Sequence, residues 1–403
     1  MYLADEAALP AADDAEPQTA LGRRKRLAAG NLCHDPLPRN PHLPENELAE
    51  LILKEYQIRN VFCITIGRKS MIRIALLGCG RIGKMHAATI VRSSKAELAA
   101  VYDPVSAAAE EVGSRFGCVV AASAGEAIAQ ADAVLIATST PTHADLIEAS
   151  AKAGKAIFCE KPIDLSLARV KACRAALEGF DKPIQIGFNR RYDPGHRAAR
   201  DAARSGEIGE IRQVIITSRD PGLASREYLK ASGGIFKDMT IHDFDLARFM
   251  LGEEPVEVFA TGSALIDPTL ADLNDIDSAM VVLRTESGKL CHINNSRAAI
   301  YGHDQRVEIL GSNGMLISGN RRAHGLERFG PTATGAGEPF LNFFIERYAE
   351  AYALGLESFI DCVETNTMPD ATFEDGERSL ALAEAANLSR AERRFVDIRE
   401  IAG

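Results

Sequence analysis

No two of the eight cysteines in this chain stand at C-x-x-C spacing. Cys79, Cys118, Cys159 and Cys173 lie in or beside apolar runs. They read as free thiols buried in a protein of the reducing cytoplasm, not as a disulfide framework. No apolar run approaches the ~20 residues that a membrane helix needs. The N-terminus lacks a basic start followed by an apolar stretch, so no secretory signal is expected. A basic excess is absent too: 46 Lys and Arg face 56 Asp and Glu, a net charge of −10. That balance argues against nucleic acid as a partner. There is no H-E-x-x-H, and the nine histidines show no metal-ligand spacing, so no metal is expected.

What is present is an ordinary globular balance, with 46% apolar and 25% charged residues over 403 positions. That length suits two or three domains. Residues 1–70 are rich in Ala, Pro and charge and show no clear period, apart from "LAELILKEY" as one short apolar stripe. Met71 then precedes a strand pattern directly. Residues 1–70 are therefore expected to be a disordered extension or an artefact of start-site choice. The basic "RRKR" at 23–26 reads as a solvated run.

From Met71 the pattern alternates. "IRIALL", "ELAAVYD", "DAVLIAT", "KAIFCEK" and "PIQIGF" are strand-like runs separated by helical stretches. Repeated βα units imply a parallel sheet with right-handed crossovers. After about Tyr192 a helix leads to a strand, to the helical stretch that carries Asp238 and His242, and then to several strands joined by turn signals. Two long helical patterns close the chain. The turn signals suit an antiparallel or mixed sheet. The expected fold is α/β: a Rossmann dinucleotide-binding domain over 71–192, then an α+β domain over 193–403 with a large open, mostly antiparallel sheet.

"GCGRIG" places Gly78, Gly80 and Gly83 between a strand and a helix, with Arg81 and Ile82 inside the loop. The first glycine permits the turn, the second lets a pyrophosphate approach, and the third lets helix and strand pack closely. The helix N-terminus supplies N–H groups and partial positive charge. Asp103 ends the second strand, where a carboxylate would meet a ribose and repel a 2′-phosphate. NAD is therefore favoured over NADP. Thr138 and Ser139 follow the third long strand, and Glu160 and Lys161 the fourth, along the edge where such sheets bind ligands.

Alone, Lys161 reads as a solvated lysine, and Asp238 with His242 as a local hydrogen-bonded pair on one helix face. Beside a nicotinamide site they read differently. Hydride removal from a carbinol needs a base for the hydroxyl proton and a donor for its oxygen. Histidine, oriented by a carboxylate, suits the first role, and lysine the second.

In "GCGRIGKMH", "STPTHADL", "CEKPI", "GFNRRYDP" and "GGIFKDMTIHDFDLARFM" the chain resembles the glucose–fructose oxidoreductase/inositol dehydrogenase (Gfo/Idh/MocA) family, from residue 71 to about 395. "VIITSRDP" and "CHINNSRAAIYGHDQRVEILGSNGML" resemble its inositol 2-dehydrogenase branch. The resemblance implies Lys161, Asp238 and His242 as the catalytic set, with His242 as base. It implies Arg190, Asp220, Tyr301 and His303 as polyol contacts, and a large open sheet that assembles a homo-oligomer, commonly a tetramer. Asp220 and His303 stand where another member has Asn and Tyr, which bears on the polyol chosen. The implied reaction is NAD-dependent oxidation of myo-inositol to scyllo-inosose in inositol catabolism. Two rivals stand beside it. One is a dehydrogenase of another polyol or pyranose, such as scyllo- or chiro-inositol or glucose. The other is a non-catalytic NAD-dependent sensor on the same fold. His143 and His86 read as structural residues, and Arg191 and Tyr192 as a hinge or substrate contacts.

Overall fold

The computed structural model describes residues 71–402; the readings made for residues 1–70 lie outside the described residues. Six parallel strands form the first sheet: β1 (Ile72–Leu77), β2 (Ala96–Tyr102), β3 (Val119–Val120), β4 (Ala133–Ile136), β5 (Ala156–Cys159) and β6 (Ile184–Ile186). Their order is β3-β2-β1-β4-β5-β6. The crossovers carry α1 (Arg81–Arg92), α2 (Ser106–Phe116), α3 (Ala124–Ala129), α4 (His143–Lys152) and α5 (Leu167–Ala176). Strands buried on both faces need apolar residues at every position. All four residues of β4 are fully buried. In β1, Ile74 and Leu76 enter one core while Ala75 and Leu77 enter another, so the sheet divides two apolar layers.

The second half opens with α6 (Pro194–Arg204) and β7 (Ile211–Arg219). Three helices follow, α7 (Arg226–Ala231), α8 (Ile235–Asp238) and α9 (Ile241–Leu251). Then come β8 (Pro255–Ser263), β9 (Ser278–Thr285), β10 (Leu290–Ser296), β11 (Asp304–Gly311) and β12 (Met315–Ser318). A small ribbon, β13 (Glu327–Arg328) with β14 (Ala336–Gly337), precedes α10 (Phe344–Arg347), α11 (Ala349–Thr365) and α12 (Phe373–Glu392). The described chain closes with β15 (Val396–Asp397) and α13 (Arg399–Ala402).

The second sheet has the order β12-β11-β7-β10-β9-β8-β15. All its pairs are antiparallel except β7 with β10, so the sheet is mixed. In β9, Ala279, Val281 and Leu283 are buried while Met280 and Arg284 are exposed. This alternation marks a sheet covered on one face. Phe244 and Leu246 of α9 and Leu382 and Ala386 of α12 share the core with that buried face. The last helices do not stay with the second sheet alone. Leu356, Phe359 and Ile360 of α11 share a core with β1 and α1. Among the described residues, no helix is long and apolar enough to cross a membrane.

Candidate active site

The glycine loop has the geometry that its sequence requires. Gly78 sits at φ +97°, a conformation that L-residues rarely adopt, and a Cβ there would meet the Ala137 carbonyl. A Cβ on Gly83 would lie 1.9 Å from the Gly78 oxygen. At Gly80 a Cβ would meet nothing within 4 Å, so the backbone there is open to an approaching group. Gly80 is also the N-cap of α1, and neither a capping side chain nor an acidic residue covers that first turn. The bare N–H groups and the cradle fit a dinucleotide pyrophosphate.

Asp103 lies against this loop. One carboxylate oxygen accepts from the Cys79 N–H at 2.7 Å, the other from the Val105 N–H at 2.8 Å. Arg81 begins α1 with its guanidinium over the Phe343 ring, and Ile82 follows it, half-buried. Thr138 and Ser139 form the turn after β4. The Thr142 hydroxyl donates to Thr138 Oγ1 at 2.7 Å and to the Ser139 carbonyl at 2.9 Å. His143 places one ring nitrogen 3.0 Å from the Thr138 carbonyl and the other 2.8 Å from that of Pro162. It thus ties the turn after β4 to the turn after β5. Glu160 faces inward, 2.7 Å from Nε2 of His86 on α1.

The peptide between Lys161 and Pro162 is cis. The Lys161 ammonium donates to the backbone carbonyl of Asp238 at 2.7 Å and lies 3.8 Å from its carboxylate. In a continuous α-helix that carbonyl would accept from the N–H of His242. Here the His242 N–H turns to Met239 at 3.3 Å, and the helix divides into α8 and α9. The expectation that Asp238 and His242 share one helix face, with Asp238 orienting the imidazole, is therefore corrected. The Asp238 carboxylate accepts instead from the Tyr228 hydroxyl at 2.7 Å and from Arg297 at 3.0 Å. Burial alone would raise the Asp238 carboxyl, but Lys161 and Arg297 outweigh it and hold it below the usual carboxylate range.

His242 packs edge-on against Phe188, with the ring centroids 6.2 Å apart. Its Nδ1 is buried and has no hydrogen-bond partner. Burial pushes its basicity well below the ordinary value, and the nearby charges of Lys161 and Arg190 add to that push. The imidazole is thus neutral at physiological pH and able to accept a proton.

Of the four expected polyol contacts, Asp220, His303 and Arg190 lie near this cluster. Nε2 of the buried His303 lies 3.4 Å from the Asp220 carboxylate and 3.0 Å from the Gln305 side-chain amide. Arg190 is buried, and its guanidinium is taken by Asp243 and, at 3.1 Å, by Ser218. Tyr301 is not brought to the cluster. Its hydroxyl accepts from Arg219 at 2.7 Å and donates to Asp304 at 2.8 Å. Arg191 and Tyr192 are buried, and Arg191 pairs with Asp245 and Asp375 rather than facing the cluster. Sequence reasoning missed Tyr228 and Arg297. Arg297 carried a faint signal: it continues the alternation Cys291, Ile293, Asn295 on the covered face of β10, where a charge must find a partner.

Comparisons with known proteins point to one family. Residues 72–188 match the family model described as an oxidoreductase family with an NAD-binding Rossmann fold, Gfo/Idh/MocA, and residues 196–317 match a Gfo/Idh/MocA C-terminal domain. The chain is 50% identical over 331 residues to an inositol 2-dehydrogenase of Rhizobium meliloti, covering 81% of this chain and 99% of that protein. A crystal structure of a myo-inositol dehydrogenase from Corynebacterium glutamicum superposes with a TM-score of 0.79 at 40% identity, over 81% of this chain and 99% of that one. A myo-inositol dehydrogenase from Lactobacillus casei, in complex with NAD(H) and myo-inositol, superposes with a TM-score of 0.73 at 25% identity, over 81% and 97%.

Proposed function

The chain belongs to the Gfo/Idh/MocA family of NAD-binding oxidoreductases, and on that premise we propose that it oxidises a ring hydroxyl of myo-inositol to the ketone, giving scyllo-inosose, with NAD as the oxidant. It is an NAD-dependent dehydrogenase, acting in inositol catabolism. The observation that carries the site assignment is the Lys161 bond to the Asp238 carbonyl, which sets an ammonium beside the helix start bearing a neutral His242.

When bound, NAD supplies the nicotinamide that accepts the hydride. The chain's own residues do the rest. The loop of Gly78, Gly80 and Gly83 and the bare turn of α1 hold the pyrophosphate, and Asp103 receives the ribose hydroxyls. Thr138, Ser139, Glu160 and Lys161 edge the same cleft. His242 takes the hydroxyl proton as the carbinol carbon becomes a carbonyl. Lys161 donates to the substrate oxygen and steadies the charge that develops there. Asp238 balances Lys161 and fixes its place. Asp220 and His303 meet polyol hydroxyls, where a lost partner would cost ~1–3 kcal/mol per buried group. Arg190 supports this set from behind.

Self-association is part of the proposal, with a tetramer as the expected form. Ile215, Met280 and Leu290 are exposed on the face of the second sheet opposite its helices, which favours a second copy there. The buried, unpaired thiols favour the cytoplasm.

The test is NADH formation, followed by absorbance, with NAD or NADP against myo-, scyllo- and chiro-inositol and glucose. NAD-linked turnover of myo-inositol is the expected result. Preference for another polyol would move the substrate assignment to Asp220 and His303 and leave the Lys161 and His242 roles in place. Equal use of NADP would refute the role given to Asp103. Tight NADH binding without any turnover would favour the sensor.

A further inference from the structure

The short helix α8 ends on the carbonyl that holds Lys161, so whatever fixes α8 fixes the ammonium. Two carboxylates grip it. At its start, Asp275 accepts from the Ile235 N–H at 2.9 Å, and also from its own neighbour, the Ile276 N–H, at 2.8 Å. At its end stands Asp238. Arg297, at the end of β10 and 3% exposed, reaches both: one Nη lies 3.0 Å from Asp238 Oδ2 and the other 3.9 Å from Asp275 Oδ2. Neither that second Nη nor Asp275 Oδ2 has a hydrogen-bond partner, so the ion pair is what each of them has. The fork of one guanidinium thus spans the two ends of the turn, which the single charged point of a lysine cannot do.

We infer that Arg297 is a positioning residue for the dehydrogenation: it staples Asp238 to Asp275 across α8 and so fixes where the Lys161 ammonium meets the substrate oxygen. This rests on the function proposed above. Arg297 acts through Asp238 and α8, and its reach does not extend to the glycine loop. It therefore governs turnover and leaves cofactor affinity alone.

The test uses the full chain with Arg297→Ala and Arg297→Lys. NADH affinity, cooperative melting, and kcat and KM for myo-inositol are measured for each. A misplacement of about 1 Å at a reacting group can cost roughly 10²-fold, and a kcat loss of that order is expected for Arg297→Ala. Its NADH affinity should stay within about threefold of the parent. Added guanidinium, compared with potassium chloride at equal ionic strength, should restore part of the kcat of Arg297→Ala. Arg297→Lys should fall between the two, because its ammonium satisfies one carboxylate at a time. A kcat within about threefold of the parent in Arg297→Ala would overturn the inference. So would loss of NADH binding or of cooperative melting in both variants, since Arg297 would then serve folding alone. An unmodified chain that binds NADH but turns over no inositol would overturn the proposed function, and this inference with it.

Discussion

Arg190 offers a sharp test, because two roles for it predict opposite results. As a polyol contact it would act through KM. The structure instead buries it against Asp243, at 5% and 0% exposure respectively. Asp243 has one other side-chain partner, Asn295 at 2.8 Å. Arg190→Met would leave that carboxylate deep in the fold with its charge uncompensated. Breaking one side of a buried ion pair costs about 3–5 kcal/mol. At roughly 2–4 °C per kcal/mol for a large domain, the melting temperature should fall by about 6 °C or more. Replacing both partners, as Arg190→Met with Asp243→Leu, should recover most of the loss, because no charge is then stranded. Thermal unfolding followed by circular dichroism reads all three variants, and the polyol KM is measured in parallel. A single variant that melts within about 2 °C of the parent while its KM rises roughly tenfold would refute this reasoning and make Arg190 a substrate contact.

Three further outcomes are expected. His242→Ala and Lys161→Ala should each lower kcat roughly 10²-fold or more, with NADH affinity near that of the parent; retained kcat in either would remove its assigned role. His242 is held well below its ordinary value of 6.5, so the unfolded chain binds a proton there that the native site refuses. The kcat/KM profile should therefore stay level as pH falls through 6.5, and its contribution to stability should decline over that same fall; an acid limb centred at 6.5 would contradict the burial argument. Gly80→Val places a branched side chain in space that is now open, so NADH affinity should drop with little change in melting temperature, whereas equal affinity would mean that the pyrophosphate lies elsewhere.

Much of this was legible in the residues themselves. The run Ile72–Leu77 is the strand β1, because apolar residues at five of its six positions, Arg73 excepted, leave little alternative ahead of a glycine turn. Asp103 could be found because the distance from a glycine loop to the end of the next strand varies little. The antiparallel character of the second sheet showed in its turn signals, but the parallel pairing of β7 with β10 did not, since pairing between distant strands leaves no mark in either one. The failure at Asp238 and His242 is instructive. "DMTIHDFD" contains neither glycine nor proline, and its spacing reads as one helix. At the break, Lys161, 77 positions earlier, occupies the carbonyl that the helix would have used. Tertiary competition for a backbone acceptor has no local signature. Arg297 and Tyr228 escaped for a related reason: each matters through the Asp238 carboxylate, which lies outside its own element.

The placement of Leu356, Phe359 and Ile360 among the side chains of β1 and α1 bears on how the protein is made. A ribosome delivers the glycine loop early and α11 near the end. Until α11 emerges, the nascent nucleotide-binding half carries an uncovered apolar layer, although its six strands are already available to pair. N-terminal domains usually fold first as they leave the ribosome. A layer covered by the far end of the chain should delay that step here, so cofactor capture during synthesis is expected to follow the arrival of the last helices.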